Sequence, residues 1–346
     1  MSDNMETGRN LKALLYLDLV AGMGNASVVR DFVPLMRRMG IDDIGRDDIF
    51  SLVSRLGFEN DKNAWEEAEY RYGEVIGGSG GSKSDIAVVT CFDGIYPKRL
   101  MRFIDMERAG KRPPYHPPAI LYCRGDISLL DLPSIAVVGT RNPSADSISA
   151  EKWLVRSLIA DARVIVSGMA SGCDTVAHRT ALETAGRIKS LCESGKTIAV
   201  LPGGLNNIYP KGNAGMAEEI VSSGRGLLLS AYRPDESAYR YRFVERDSLI
   251  AALSDGVFAV QCGQKSGTMH AVKAAENMGR PLACWWKEDM AEDMEGDFLG
   301  NYQMVSKMDA IPVCDERTLR DYLDLIDSGQ RNFEKADQVQ EQLSFI

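Results

Sequence analysis

Four short apolar runs set the pattern of the chain: Ile135–Val138, Val164–Val166, Thr197–Leu201 and Val257–Gln261. Each has the length of a strand buried on both faces. Each ends in a turn of small residues. The turns are Gly139-Thr140-Arg141, Ser167-Gly168-Met169-Ala170-Ser171-Gly172, Pro202-Gly203-Gly204, and the stretch from Gly263 to Ser266-Gly267-Thr268. Helical spacing follows the first two turns. Strand, turn and helix in repetition predict an α/β fold: an open, mostly parallel, doubly wound sheet. Ligands of such sheets bind beyond the carboxyl ends of the strands, where these turns gather.

Outside this core the pattern changes. Leu11–Met36 has helical spacing on either side of Gly22-Met23-Gly24, and Ile49–Leu56 and Ala64–Val75 repeat it. Residues 1–76 therefore read as a small helical N-terminal domain. Its first turn suits either a helical hairpin that holds a phosphate on backbone N–H groups or an ordinary helical bundle. Residues 77–84 (GGSGGSKS) are a flexible linker or loop by composition. The main domain is expected over 85–327. Ile86–Thr90 and Ala119–Arg124 add strands to one edge, and Pro281–Trp286 is the last core strand. An acidic loop (Lys287–Phe298), a strand near Ala310–Cys314 and a helix over Glu316–Ile326 follow, then a polar tail over 328–346.

With 346 residues, 45% hydrophobic and 26% charged, the chain is ordinary for a soluble protein. No run approaches the roughly 18 apolar residues of a membrane span. The N-terminus lacks a signal-peptide pattern, so a cytoplasmic location is expected and no membrane partner. The seven cysteines are scattered without a CxxC pair, which argues against a disulfide framework and a metal site. Cys173, in a glycine-rich turn, reads as a small hydrophobe or a nucleophile. The net charge of −9 argues against indiscriminate nucleic-acid binding but leaves room for a local basic groove.

Several Gly/Ser turns at one sheet edge make an anion site. The residues this assigns to phosphate or nucleic acid are Gly139, Thr140, Ser167, Gly168, Gly172, Ser266, Gly267 and Thr268. Arg141 follows the first strand directly, placed to grip a phosphate in a bidentate fork or to pair with a carboxylate. Asp174 suits a helix N-cap, and His178 lies four residues on along the same face; both are further candidates for ligand contact. The turns match neither the dinucleotide fingerprint nor the Walker A pattern, so no cofactor is expected. In Arg225–Arg246, Arg240, Arg242 and Arg246 interleave with Tyr239, Tyr241 and Phe243. Arginines between aromatics suit a single nucleic-acid strand. A solvated loop, or an edge strand over 239–243, accounts for the same pattern.

Together these residues resemble the DNA-processing protein A family (DprA, also called Smf). The match runs through Val138-Gly139-Thr140-Arg141-Asn142-Pro143-Ser144 and Ser167–Asp174, with Ala177-His178 and Ala181-Leu182. It continues in Thr197–Leu201, Gly204-Leu205, Ile208-Tyr209-Pro210, Asn213, Leu253-Ser254-Asp255 and Ser266-Gly267-Thr268. The resemblance implies an extended Rossmann-like domain that binds and protects single-stranded DNA. It also implies assistance to a RecA-type recombinase in natural transformation, a homodimer, and no catalysis. By position, Arg141 and Lys211 match the family's basic DNA contacts, and Asn213 belongs to the same motif.

The chain departs from the family in places. Where a Phe-Pro-Arg-Arg-Asn-Arg run is usual, it has Phe243-Val244-Glu245-Arg246-Asp247-Ser248, with two fewer cations and two more acids. It inserts residues around Ile188–Ser194 and shows no winged-helix module. The related cytokinin-activating phosphoribohydrolases carry a glutamate where this chain has Ala271, so hydrolysis of nucleotides is not expected. The rival reading within the same fold family is a SLOG-type sensor of a nucleotide or nucleotide-derived ligand, in a defence context.

Overall fold

The computed structural model describes residues 3–20, 28–33, 35, 45–77, 85–109, 111–185, 195–287, 290 and 297–329. The chain divides into two compact units, Met1–Arg124 and Gly125–Ile346. The Gly22-Met23-Gly24 turn, most of the 77–84 segment, the insertion at 188–194 and the tail beyond 329 lie outside the described residues.

The first unit contains α1 (Asp3–Leu19), a π-helical turn at Val28–Phe32, α2 (Arg46–Arg55) and α3 (Lys62–Gly77). It also holds β1 (Ile86–Thr90), α4 (Lys98–Arg108) and β2 (Ile120–Gly125). Tyr16 is its keystone. The ring lies 5.2 Å from that of Phe50 and 5.5 Å from that of Trp65, tying α1 to α2 and α3. Its hydroxyl donates to Asn60 Oδ1 at 3.2 Å, which satisfies the polar end of an otherwise buried aromatic. β1 and β2 pair antiparallel, with Thr90 opposite Ile120.

The second unit is built on seven strands: β3 (Ser134–Val138), β4 (Val164–Ser167), β5 (Thr197–Leu201), β6 (Gly226–Ser230), β7 (Gly256–Ala259), β8 (Leu282–Trp285) and β9 (Ile311–Val313). All pair parallel, in the order β6-β5-β4-β3-β7-β8-β9. The chain winds outward from β3 in one direction and from β7 in the other. The reversal opens a crevice at their carboxyl ends. Between the strands run α5 (Ala145–Ala160), α6 (Cys173–Ala185), α7 (Ala214–Ser222), α8 (Arg240–Leu253), α9 (Thr268–Asn277) and α10 (Leu299–Lys307), and α11 (Glu316–Asp327) follows β9.

Helices cover both faces because every core strand is apolar on both. Ile135 and Val137 of β3 join Leu154, Leu158, Ala177, Ala181, Phe258 and Tyr322 in one core, under α5, α6 and α11. Ala136 and Val138 point the other way, where α8 packs across β3, β4 and β5. Each large apolar side chain buried in this manner contributes about 1.5–3 kcal/mol. The fold is thus the open, mostly parallel α/β sheet that the periodicity predicts and the extended Rossmann-like domain that the resemblance implies. No helix among the described residues is long and apolar enough to cross a membrane.

One segment departs from expectation. Residues 226–230 form β6, a fully buried strand, and 240–253 form helix α8. The alternation at 239–243 is the entry to that helix, neither an edge strand nor a solvated loop. Arg242 and Arg246 stand four residues apart on its inward face and are both buried. Their partners are carboxylates, so the face reads as polar although it is interior.

Candidate functional site

The turns after β3, β4 and β5 meet α8 at the carboxyl edge of the sheet and enclose a pocket of about 190 Å³. Its walls include Arg141, the 169–171 turn, Tyr209-Pro210, Phe243 and Arg246. Arg141 is exposed and its guanidinium lies 5.9 Å from the Phe243 ring. The Tyr209 ring meets Phe243 edge-on at 5.5 Å. Lys211, next after the wall residue Pro210, is exposed.

The 168–172 turn takes its shape from two glycines. Gly172 has φ +82°, and a Cβ there would strike the Thr140 and Arg141 carbonyls. A Cβ on Gly168 would overlap the Arg246 guanidinium, so this position must stay bare for α8 to dock. Asn213 braces the same turn through Nδ2, donating to Met169 O at 2.8 Å and Thr175 Oγ1 at 3.2 Å.

At the back of the pocket one cation stands between two carboxylates. Arg246 is 6% exposed; Nη1 stands 3.5 Å from Asp174 Oδ2 and Nε 3.0 Å from Asp247 Oδ1. Asp174 is the second residue of α6 and not its N-cap. Its Oδ2 accepts the Ala170 N–H at 3.0 Å, closing the turn from within. Several backbone donors offered by the turn pattern are spent internally. Thr140 N–H goes to Gln261 O at 2.8 Å, and Cys173 N–H to Thr140 O at 3.1 Å. Attraction for an anion therefore falls on side-chain cations, with Arg141 and Lys211 at the mouth.

His178 lies beneath the site and is fully buried. Nε2 is 2.6 Å from the Gly168 carbonyl, which can only accept, so this nitrogen carries the proton. Burial holds the imidazole pKa below its ordinary value and keeps the ring neutral. Nδ1 therefore accepts from the Thr197 hydroxyl at 2.7 Å. The residue ties the β4 turn to β5. Ser167 is equally interior, its hydroxyl donating to Val137 O at 2.7 Å. Burial, with Glu151 and Asp174 nearby, pushes the Cys173 thiol far above its usual range, so it is a small hydrophobe and no nucleophile.

Of the residues singled out from sequence, Arg141 and Arg246 line the pocket, the 168–172 turn shapes it, and Lys211 flanks it. Arg240, Arg242 and the 266–268 turn lie off its wall. Arg242 is held by Ser237 O at 3.0 Å and by Glu236, and lies 4.2 Å from the Tyr232 ring. Arg240 is exposed at the start of α8. Ser266, Gly267 and Thr268 open α9 and line no part of the pocket. Asp247 and the aromatic wall of Tyr209 and Phe243 were not anticipated as a unit. The signal for Asp247 was its place one residue after an arginine whose burial the sequence does not reveal.

Asp247 provides a pH test. Burial pushes its carboxyl up to about 6, against a partial offset from Arg246. A carboxyl whose folded pKa lies above its unfolded value of about 3.9 destabilises the fold once ionised. Stability from this group is therefore greatest below about pH 4 and is lost as pH rises through about 6. Asp247→Asn is expected to melt higher than the parent at pH 7.5, with the difference gone by about pH 4. A lower melting temperature for the variant at pH 7.5 would show that the pairing with Arg246 outweighs burial.

Comparison with known proteins places this geometry. DNA processing protein DprA of Bacillus subtilis is 35% identical over 169 residues, covering 49% of this chain and 53% of that protein. The chain thus matches about half the length of that relative. DNA processing protein A of Streptococcus pneumoniae shares the fold at TM-score 0.68 and 24% identity, over 89% of this chain and 94% of that one. DNA processing protein A of Helicobacter pylori aligns at TM-score 0.54 and 28% identity, over 70% of this chain and 96% of that one. That structure is described as giving insight into its single-stranded DNA binding mode. The sequence model of one family, DNA recombination-mediator protein A, matches residues 87–323, which include every strand of the second unit and every wall of the pocket. The chain belongs to the DNA recombination-mediator protein A family.

Proposed function

We propose that the chain binds single-stranded DNA at the mouth of this pocket, without catalysis. Arg141 and Lys211 anchor phosphates and the Tyr209–Phe243 pair offers a face for a base. The observation that carries the reading is the placement of two exposed cations beside an aromatic wall at the strand-end edge, on a protein of net charge −9. A cationic pocket edge with stacking rings is the general design of single-strand binders. The Helicobacter relative's single-stranded DNA binding supports it. By the same family reasoning the chain acts as a homodimer in the cytoplasm, protects the strand and assists a RecA-type recombinase in recombination.

The test is fluorescence anisotropy of a labelled oligonucleotide across a salt series. Affinity is expected to fall with salt at a log–log slope of about −0.7 per phosphate neutralised. A mononucleotide in excess is expected to compete weakly. Absence of binding at low salt, together with thermal stabilisation by the mononucleotide, would replace this reading with that of a nucleotide sensor. Light scattering tests the dimer: a monomer mass at micromolar concentration would refute it.

A further inference from the structure

The second unit holds a larger cavity, about 820 Å³, that shares no wall with the pocket above. It opens where β8 and β9 end and α5 and α11 begin. Two indoles form its floor: Trp153 and Trp285, both half-buried, with ring centroids 6.1 Å apart at 58°. Asp146, Asp315 and Glu316 stand on its rim, all exposed. Hydrogen bonds from Thr318 hold the Asp315 carboxyl below its ordinary pKa, so it is charged. Among the described residues the one basic wall residue is Lys287, and its Nζ already lies 5.2 Å from the centre of the Trp285 ring.

We infer that this cavity is a docking site for a basic peptide segment of a protein partner, whose lysine or arginine takes the place of Lys287 on the indole floor. Three features favour that occupant. Lys287 demonstrates in place that the Trp285 face accepts an ammonium group, as expected for an indole. The rim is acidic, so it repels nucleic acid and complements a cationic chain. The segment 288–297, whose two flanks line the cavity, carries six further acids in sequence, and nothing in the binding of DNA calls for them.

The test uses the full chain and a fluorescein-labelled hexa-arginine peptide at low salt, with hexa-glutamate as control. Asp146→Asn with Glu316→Gln is expected to weaken binding about tenfold. Trp285→Leu is expected to weaken it about three- to tenfold, in keeping with the loss of an indole cation site. Lys287→Ala is expected to strengthen it severalfold by removing the resident cation. Glu66→Gln with Glu183→Gln, exposed acids outside the cavity wall, is expected to change little. Equal weakening by the distant acid pair would reveal non-specific attraction to an acidic protein and overturn the proposal. So would weaker binding by Lys287→Ala.

Discussion

Alanine at Arg141 or Lys211 lowers the affinity for a labelled single-stranded oligonucleotide by about ten- to a hundredfold, on the proposed reading. A charge-assisted phosphate contact contributes roughly 1.5–3 kcal/mol, and 1.4 kcal/mol is a factor of ten. Arg141 sits on the pocket wall with its guanidinium 5.9 Å from the Phe243 ring, which restrains where the fork points. Lys211 begins the short helical turn that ends at Asn213, itself bonded to the 168–172 turn. Both side chains are exposed, so neither substitution should move the melting temperature appreciably. Each should also reduce the salt slope by about one phosphate equivalent, near 0.7. Arg240→Ala, equally exposed but off the pocket wall, is the control and should change affinity little. If both variants bind like the parent in anisotropy titrations, the mouth of the pocket is not the interface.

Arg246→Ala acts on the fold before it acts on any ligand. The guanidinium is buried between Asp174 and Asp247, and removing it leaves the buried Asp174 carboxylate and the half-buried Asp247 carboxylate without their cation. Breaking a buried pair in this way costs about 3–5 kcal/mol, a large part of the stability of an ordinary domain. Urea titration followed by circular dichroism should show the midpoint fall sharply. Arg246→Ala combined with Asp247→Asn should recover part of the loss, since one orphaned charge is gone. A midpoint change equivalent to less than about 0.5 kcal/mol would show that water reaches the site and screens the cluster.

The sheet was legible from sequence because strands buried on both faces leave uninterrupted apolar runs. Ile135–Val138 and Thr197–Leu201 are unmistakable for that reason. Residues 226–230 form such a run too, yet it lies within a stretch otherwise marked by arginines and tyrosines, whose pattern fits a nucleic-acid contact, a solvated loop or an edge strand equally well. Helix α8 was hidden for a sharper physical reason. Amphipathic patterning identifies an inward face by its apolar residues, whereas the first two turns of α8 turn Arg242 and Arg246 inward. A buried arginine is indistinguishable from a solvated one until its carboxylate is located. For Arg246 one such carboxylate lies 72 residues earlier. The site was legible in part: Arg141 and the glycines of the 168–172 turn were found because strand-end turns gather at one edge. The aromatic wall was not, since Tyr209 and Phe243 meet only through tertiary packing. Ser266–Thr268 follows the same turn grammar but opens α9 away from the pocket wall.

The separation of Asp174 from Arg246 also orders the birth of the site on the ribosome. Chains emerge N-terminus first, and their parts dock as they become available. When β3, β4 and α6 have been synthesised, the turn at 168–172 exists as sequence, but the cation that fills the space beside Gly168 has not yet left the tunnel. Asp174 stays hydrated, Phe243 is absent and the pocket has no rear wall. Only after α8 is complete can the carboxylate exchange water for guanidinium. The nascent protein therefore holds no finished pocket until its last third is being made, by which time the strands that carry the pocket's other walls are already in the chain.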